Sequence, residues 1–335
     1  MFAAVVPGAN QKWEIRDLPT PKPGATQVLI RIRASGICFT DIHLAQGKVM
    51  PVQFPAVLGH EPAGEVVELG SAVTTVKIGD RVGTNTLQRG CGRCEWCQRD
   101  KELYCQNGVW LMIHQSGSHA EYMLAEADKI HLLPDALSFE QAAPLLCAGY
   151  TVWSGFREAN PQPADRVAVV GVGGLGHLAI QYAKAAGHTV IAVTRSTDKS
   201  KLAVQLGADE VVGNGESLRE AGGVDIILST ANSYTVAVDA MSGLRPEGRL
   251  VLMGVQEEDM VLSEKLVFPQ MIANRQKIIA SQHNGREFQH EALQIAAAGK
   301  VKVYTEEYKF EELDRAVERV AEGKPRFRAV LVNAG

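Results

Sequence analysis

The sequence predicts an α/β protein of two domains, one mostly β and one a doubly wound parallel sheet with helices on both faces. Three observations carry that expectation. The chain has 335 residues, room for two separate cores. Its first third strings short β-type runs between turn residues, as a compact β domain does. From about residue 148 strand-like runs alternate with helical ones, the rhythm that builds a parallel sheet.

In the first region QVLIRIRA (27–34) and AGEVVELG (63–70) read as strands, separated by punctuation such as PTPKPG. In the second, DRVAVVGVGG leads into LGHLAIQYAKAAG and TVIAVTR into DKSKLAVQLGA; VDIILST, RLVLMGV and QKIIAS follow as further strands. After about residue 282 the pattern is mixed and ends in RAVLVN, a run suited to rejoining the first domain. The expected division is therefore 1–147 with 282–335, and 148–281 for the parallel sheet.

Composition narrows the function. Hydrophobic residues at 46% and charged residues at 21% describe an ordinary globular chain. A net charge of -4 with no dense Lys or Arg run argues against nucleic acid as a partner. The longest apolar stretch, from Val167, is broken by glycines, a histidine and a glutamine, so no membrane span is expected. The opening MFAAVVPGAN lacks the basic start and long apolar core of a secretory leader, which makes a reducing cytoplasm the expected compartment.

Four of the six cysteines, Cys91, Cys94, Cys97 and Cys105, follow the pattern C-x2-C-x2-C-x7-C. A disulfide framework does not suit a reducing compartment, and the usual iron–sulfur run closes on a shorter gap followed by proline, where this chain has Gln106. The spacing favours one tetrahedral zinc, closed by four thiolates and therefore structural.

GVGGLG, at Gly171, Gly173, Gly174, Leu175 and Gly176, lies between the strand-like RVAVV and the helical LAIQYAKAAG. That context suits a dinucleotide: glycine permits the tight turn and close approach to a pyrophosphate, whose charge meets the following helix N-terminus. At the end of the next strand an NAD site usually offers an acidic residue to the ribose. This chain has Thr194, Arg195 and Ser196 there, with Lys199 one turn on, which favours the 2′-phosphate of NADP. In the alternative, Asp198 takes the ribose and NAD binds.

The remaining cysteines, Cys38 and Cys147, lie either side of His60 and Glu61. Cysteine, histidine and cysteine suit a catalytic zinc with an open position, but spacing alone does not bring them together. The motifs GICFTDIH, GHEPAGEV, CGRCEWC with Cys105, LLCAGYTVW and GVGGLGH, in this order, resemble the zinc-containing medium-chain alcohol dehydrogenases from about residue 20 to 332. Within that family the chain is most similar to the NADP-preferring, cinnamyl alcohol dehydrogenase-like branch.

The resemblance implies a GroES-like catalytic domain, a Rossmann cofactor domain and two zinc ions per chain. It makes Cys38, His60 and Cys147 the catalytic zinc ligands and Glu61 an acidic neighbour able to approach the metal. Asp41 matches the carboxylate that orients the histidine ligand, and Thr40 and His43 match the relay that carries the substrate proton to solvent. The implied reaction is hydride transfer between an alcohol or aldehyde and the nicotinamide, with zinc as Lewis acid. Val49 and Thr86 stand where relatives narrow the pocket with aromatics, and Trp110 resembles a pocket wall of the cinnamyl branch, or else packs in its own loop. SGS replaces two adjacent glycines found in many relatives, and His114, His119, His131 and His283 are read as structural or solvated.

A primary medium-chain or aromatic alcohol is the expected substrate. A polyol, sugar or secondary-alcohol dehydrogenase using NAD is the alternative. Relatives form dimers or tetramers through their cofactor domains, and RLVLMGV from Arg249 is the run expected to extend a sheet across a two-fold axis.

Overall fold

The computed structural model describes residues 1–254, 257–283 and 285–333. The chain divides into two units, Met1–Cys147 with Val303–Gly335, and Ala148–Lys302. All six cysteines are free thiols.

In the first unit the strand Gln27–Ile37 is the hub. It pairs antiparallel with Pro62–Leu69, Tyr122–Glu126 and Arg328–Val332. Its alternation explains the placement: Val28, Ile30, Ile32 and Ala34 are buried, while Arg31 and Arg33 between them are half-buried. The seven-stranded sheet continues outward through Arg81–Thr84 and Ile130–Leu132 on one side and Thr305–Lys309 on the other. A small sheet of Glu14–Asp17, Phe2–Val6 and Ala56–Val57 and a two-stranded ribbon of Leu87–Arg89 with Val109–Trp110 complete the unit. The hub strand runs directly into Cys38, the residue that opens the helix Phe39–Ala45.

In the second unit six parallel strands begin at Arg166–Val170 and take the chain order 3-2-1-4-5-6. That is the order of a dinucleotide-binding sheet, with its switch point between Arg166–Val170 and Val224–Ser229. Consecutive residues Val167, Ala168, Val169 and Val170 are all buried, so this strand is covered on both faces. The run needs no polar alternation for that reason.

Two features differ from expectation. The second unit extends to Lys302, beyond residue 281, because the helix Arg286–Ala297 packs on the helix Tyr150–Glu158. Trp153 Nε1 donates to Glu291 Oε2 at 2.6 Å, and Tyr182 OH donates to the Ala292 carbonyl at 2.9 Å. The run RLVLMGV is not a free edge: its strand, Leu244–Leu252, is paired on both sides, and Lys277–Ala280 is the outermost strand. Burial made the run readable as a strand but did not reveal its neighbour. Among the described residues no helix is long and apolar enough to cross a membrane.

Ile191 is fully buried in the second unit's core. Ile191→Ala is expected to lower stability by about 2–5 kcal/mol, read from urea unfolding followed by far-ultraviolet circular dichroism. A change below about 0.5 kcal/mol, the size expected of surface substitutions, would contradict this packing.

Candidate functional site

Two clusters of metal-donor side chains lie in the first unit. In one, donor atoms of Cys38, His60, Glu61 and Cys147 all fall within 4.8 Å of one another. Three separate stretches of chain deliver them. Cys38 follows the hub strand in extended conformation, His60 follows Gly59 with its positive φ, and Cys147 sits in the π-helical turn Leu145–Gly149. Such turns widen a helix locally and recur at functional sites.

Asp41 ties the first two stretches together. Its Oδ2 accepts from the Cys38 N–H at 2.7 Å, the return arm of a capping box. Its Oδ1 accepts from the Gly59 N–H at 3.1 Å and lies 3.1 Å from His60 Nδ1. With Nδ1 held by the carboxylate, His60 Nε2 faces the cluster, 3.2 Å from Cys147 Sγ. This is how a second group fixes the tautomer and aim of a metal-binding imidazole.

The electrostatics suit a cation. The hydrogen bond from Cys147 holds the Cys38 thiol well below the usual thiol range, despite burial. That same bond and burial push Cys147 up, so one thiol ionises before the other. Burial acts to neutralise His60 and Asp41, but their mutual attraction prevails, holding the Asp41 carboxyl well below and the His60 imidazole well above their usual ranges. Burial pushes Glu61 up to about 7, opposed by the charge of Arg328. The Arg328 Nη2 donates to Glu61 Oε1 at 2.5 Å, while Glu61 Oε2 has no hydrogen-bond partner among the described residues. An acceptor oxygen is thereby left among the donors.

In the second cluster Cys91, Cys94, Cys97 and Cys105 also converge within 4.8 Å. The short helices Glu95–Gln98 and Glu102–Tyr104 fold the loop back on itself, and the Cys91 N–H points at Cys105 Sγ at 3.3 Å. The Arg93 N–H draws Cys91 down to about 6, and burial pushes Cys97 up to about 12. Both sets, four thiols in one and two thiols with an imidazole in the other, fit zinc.

The glycine turn lies in the second unit. Gly171 has φ +91, a Cβ at Gly176 would lie 1.9 Å from the Gly171 carbonyl oxygen, and a Cβ at Gly173 would meet nothing within 4 Å. The first position requires the turn, the third requires close helix–strand packing, and the middle one leaves an approach to the backbone. Beyond the next strand, Ser196 caps the helix Thr197–Gln205 by accepting from Lys199 N–H, and Arg195 is exposed without an ion pair among the described residues.

Residues 24–135 match the family described as "Alcohol dehydrogenase GroES-like domain", and residues 174–298 match "Zinc-binding dehydrogenase". An alcohol dehydrogenase of Geobacillus stearothermophilus is 38% identical over 339 residues, covering 99% of each chain. The chain belongs to the zinc-containing alcohol dehydrogenases. A cinnamyl alcohol dehydrogenase of Arabidopsis thaliana is 33% identical over 92% of this chain and 88% of its own. The solved "CAD from Helicobacter pylori complexed with NADP(H)" superposes with a TM-score of 0.89 at 26% identity, covering 99% and 97% of the two chains. This dehydrogenase is accordingly an NAD(P)-linked enzyme that interconverts alcohols and aldehydes.

Around the dehydrogenase's open cluster, Thr40 Oγ1 lies 3.7 Å from Cys38 Sγ. His43, on the same helix, packs edge-on against Phe39 with ring centroids 4.9 Å apart. Thr86 and Trp110 are brought together: the Thr86 carbonyl accepts from Leu111 N–H at 2.9 Å, and Trp110 stands opposite Leu87. Val49 is exposed on the loop after the helix with φ +72, a rare conformation for a β-branched residue. Sequence reasoning passed over Arg328. Its signal was a charged residue at the head of the apolar run RAVLV, in a strand otherwise buried.

Loss of a thiolate from the four-cysteine cluster is expected to loosen that loop. Cys94→Ser should make the Arg93, Arg99 and Lys101 bonds readily cut by trypsin while the rest of the chain resists. Equal resistance in variant and parent would contradict a metal-stiffened lobe.

Proposed function

We propose that the enzyme interconverts primary medium-chain or aromatic alcohols and aldehydes with NADP(H), using zinc held by Cys38, His60 and Cys147, and that a second zinc occupies the four-cysteine lobe. The convergence of the first three donors, with Asp41 behind the imidazole, is the observation that carries this reading. Bound there, zinc supplies Lewis acidity, which polarises an aldehyde carbonyl or acidifies an alcohol hydroxyl.

The chain's own residues supply the rest. Oxidation of the alcohol removes a hydride to the nicotinamide and a proton to solvent. The Thr40 hydroxyl accepts the substrate's proton as it gives up its own, which passes through the cofactor ribose to His43 and on to solvent. Glu61 remains beside the ligands with one unpaired oxygen, placed to approach the metal as ligands exchange. Gly171, Gly173, Gly174, Leu175 and Gly176 receive the pyrophosphate at the start of the helix Gly176–Ala185.

Arg195, Thr194, Ser196 and Lys199 receive the 2′-phosphate. The exposed guanidinium between two hydroxyls, without an ion pair among the described residues, supports this, as does the similarity to an NADP(H)-bound relative. Asp198, in the first turn of the next helix, carries the alternative of an NAD-linked polyol, sugar or secondary-alcohol dehydrogenase. Val49, Thr86 and Trp110 line the substrate pocket; the small side chains at the first two positions leave room for a ring or a longer alkyl chain. The chain assembles as a homodimer or homotetramer, supported by the unpaired outer edge of Lys277–Ala280 and by exposed Val261, Phe268 and Ile272 in the segment before it.

Initial rates with benzaldehyde, cinnamaldehyde and hexanal, each with NADPH and NADH, test the reading. NADPH should be strongly preferred, and Arg195→Ala should raise its KM about tenfold with little effect on NADH, the loss expected for one charge-assisted hydrogen bond. Equal or better rates with NADH would contradict the 2′-phosphate assignment, and turnover confined to polyols would contradict the substrate class.

A further inference from the structure

The Asp41 carboxylate is faced by a second imidazole. His119 is fully buried, and its Nε2 lies 3.7 Å from Asp41 Oδ2 with no hydrogen-bond partner among the described residues. Its other nitrogen is anchored: Nδ1 lies 2.8 Å from Ser35 Oγ, which lies 2.7 Å from Ser118 Oγ. Both hydroxyls are buried. A lone pair on Nε2 would face the Asp41 carboxylate, so the favoured arrangement puts a proton on Nε2, with Nδ1 accepting from Ser35 and Ser35 from Ser118.

Asp41 has room for that proton. An ionised carboxylate offers about four acceptor positions. Three are taken, by the N–H groups of Cys38 and Gly59 and by His60 Nδ1. His119 faces the remaining one. A histidine that merely filled the core would have both nitrogens satisfied, and this one has its free nitrogen turned to the one carboxylate behind the ligand cluster.

The backbone is shaped around the ring. A Cβ at Gly59, where φ is +99, would lie 2.7 Å from both the backbone N and the Nδ1 of His119. A Cβ at Gly117 would lie 2.3 Å from the Gly59 carbonyl oxygen. The two loops are then joined by Ser118 N–H to Gly59 O and His119 N–H to Leu58 O, each 2.9 Å. The segment that carries His119 is thus clamped to the segment that carries His60.

We propose that His119 is a positioning residue of the open zinc centre: anchored by Ser35 and Ser118, it directs its Nε2–H at the fourth acceptor position of Asp41 and so fixes the carboxylate that orients His60. The proposal rests on zinc binding by Cys38, His60 and Cys147. Without this donor the carboxylate keeps its other three partners but loses the second restraint on Oδ2, and the imidazole it aims holds the metal less firmly.

The test uses the full-length, zinc-loaded protein and follows zinc release to the chromophoric chelator 4-(2-pyridylazo)resorcinol. The phase belonging to the open site is the one missing from a Cys147→Ala variant. His119→Phe keeps a ring of similar size without the donor, and should speed that phase on the order of tenfold while leaving the four-cysteine phase unchanged. His119→Gln, whose amide can still donate, should recover part of the loss. Ser35→Ala should speed release by a smaller factor, and adding it to His119→Phe should change nothing more. A His119→Phe release rate within about twofold of the parent would overturn the proposal, as would a His119→Gln rate no slower than that of His119→Phe. If His119→Phe does not fold, an unchanged rate in Ser35→Ala overturns it instead. Parent protein that shows no phase lost in Cys147→Ala would overturn the zinc assignment itself.

Discussion

One buried carboxylate organises the cluster of Cys38, His60 and Cys147. Asp41 accepts from the backbone at Cys38 and at Gly59, and from the ring of His60. Burying an ionised carboxylate costs several kcal/mol unless its lone pairs are matched by donors. Here the requirement works in reverse as a constraint on the chain. The end of the hub strand and the segment before His60 must both bring an N–H to the same point, and a metal-donor side chain accompanies each.

The rest of the first unit serves that convergence. Strand pairing sets where Gln27–Ile37 ends, and so where Cys38 stands. The turn at Gly59 is possible because glycine tolerates its positive φ, and a side chain there would collide with His119. Glu61 cannot leave the site cheaply: Arg328 holds one oxygen, and Gly36 leaves a gap that a Cβ would fill at 1.9 Å from the other. The four-cysteine lobe is a separate solution to a different problem. Its donors lie close in sequence, and closing them around one ion would order a loop with little core of its own.

What could be read from the sequence follows the range of the interactions. GVGGLG and the cysteine run are local, so their spacing alone carried meaning, and the parallel strands were readable because both faces are buried. Cys38, His60 and Cys147 come from three distant segments, and only resemblance joined them before the fold did. Order in the sheet was beyond reach: the run at Arg249 looks like any buried strand, and nothing in it says that Lys277–Ala280 lies outside it. The reach of the second unit to Lys302 depends on contacts of Trp153 and Tyr182 that no periodicity announces. His119 reads as structural or solvated for the same reason, since its neighbours Ser35 and Asp41 stand far from it in the chain.

The most direct test of this account is the zinc content of an Asp41→Asn variant after gel filtration, by plasma emission spectroscopy. The amide has the same shape but only one acceptor oxygen, and its NH2 would face N–H donors. The account predicts a folded chain that keeps the zinc of the four-cysteine lobe and loses the other. Retention of both ions with the affinity of the parent would contradict it, and would mean that the ligands find their geometry without the carboxylate.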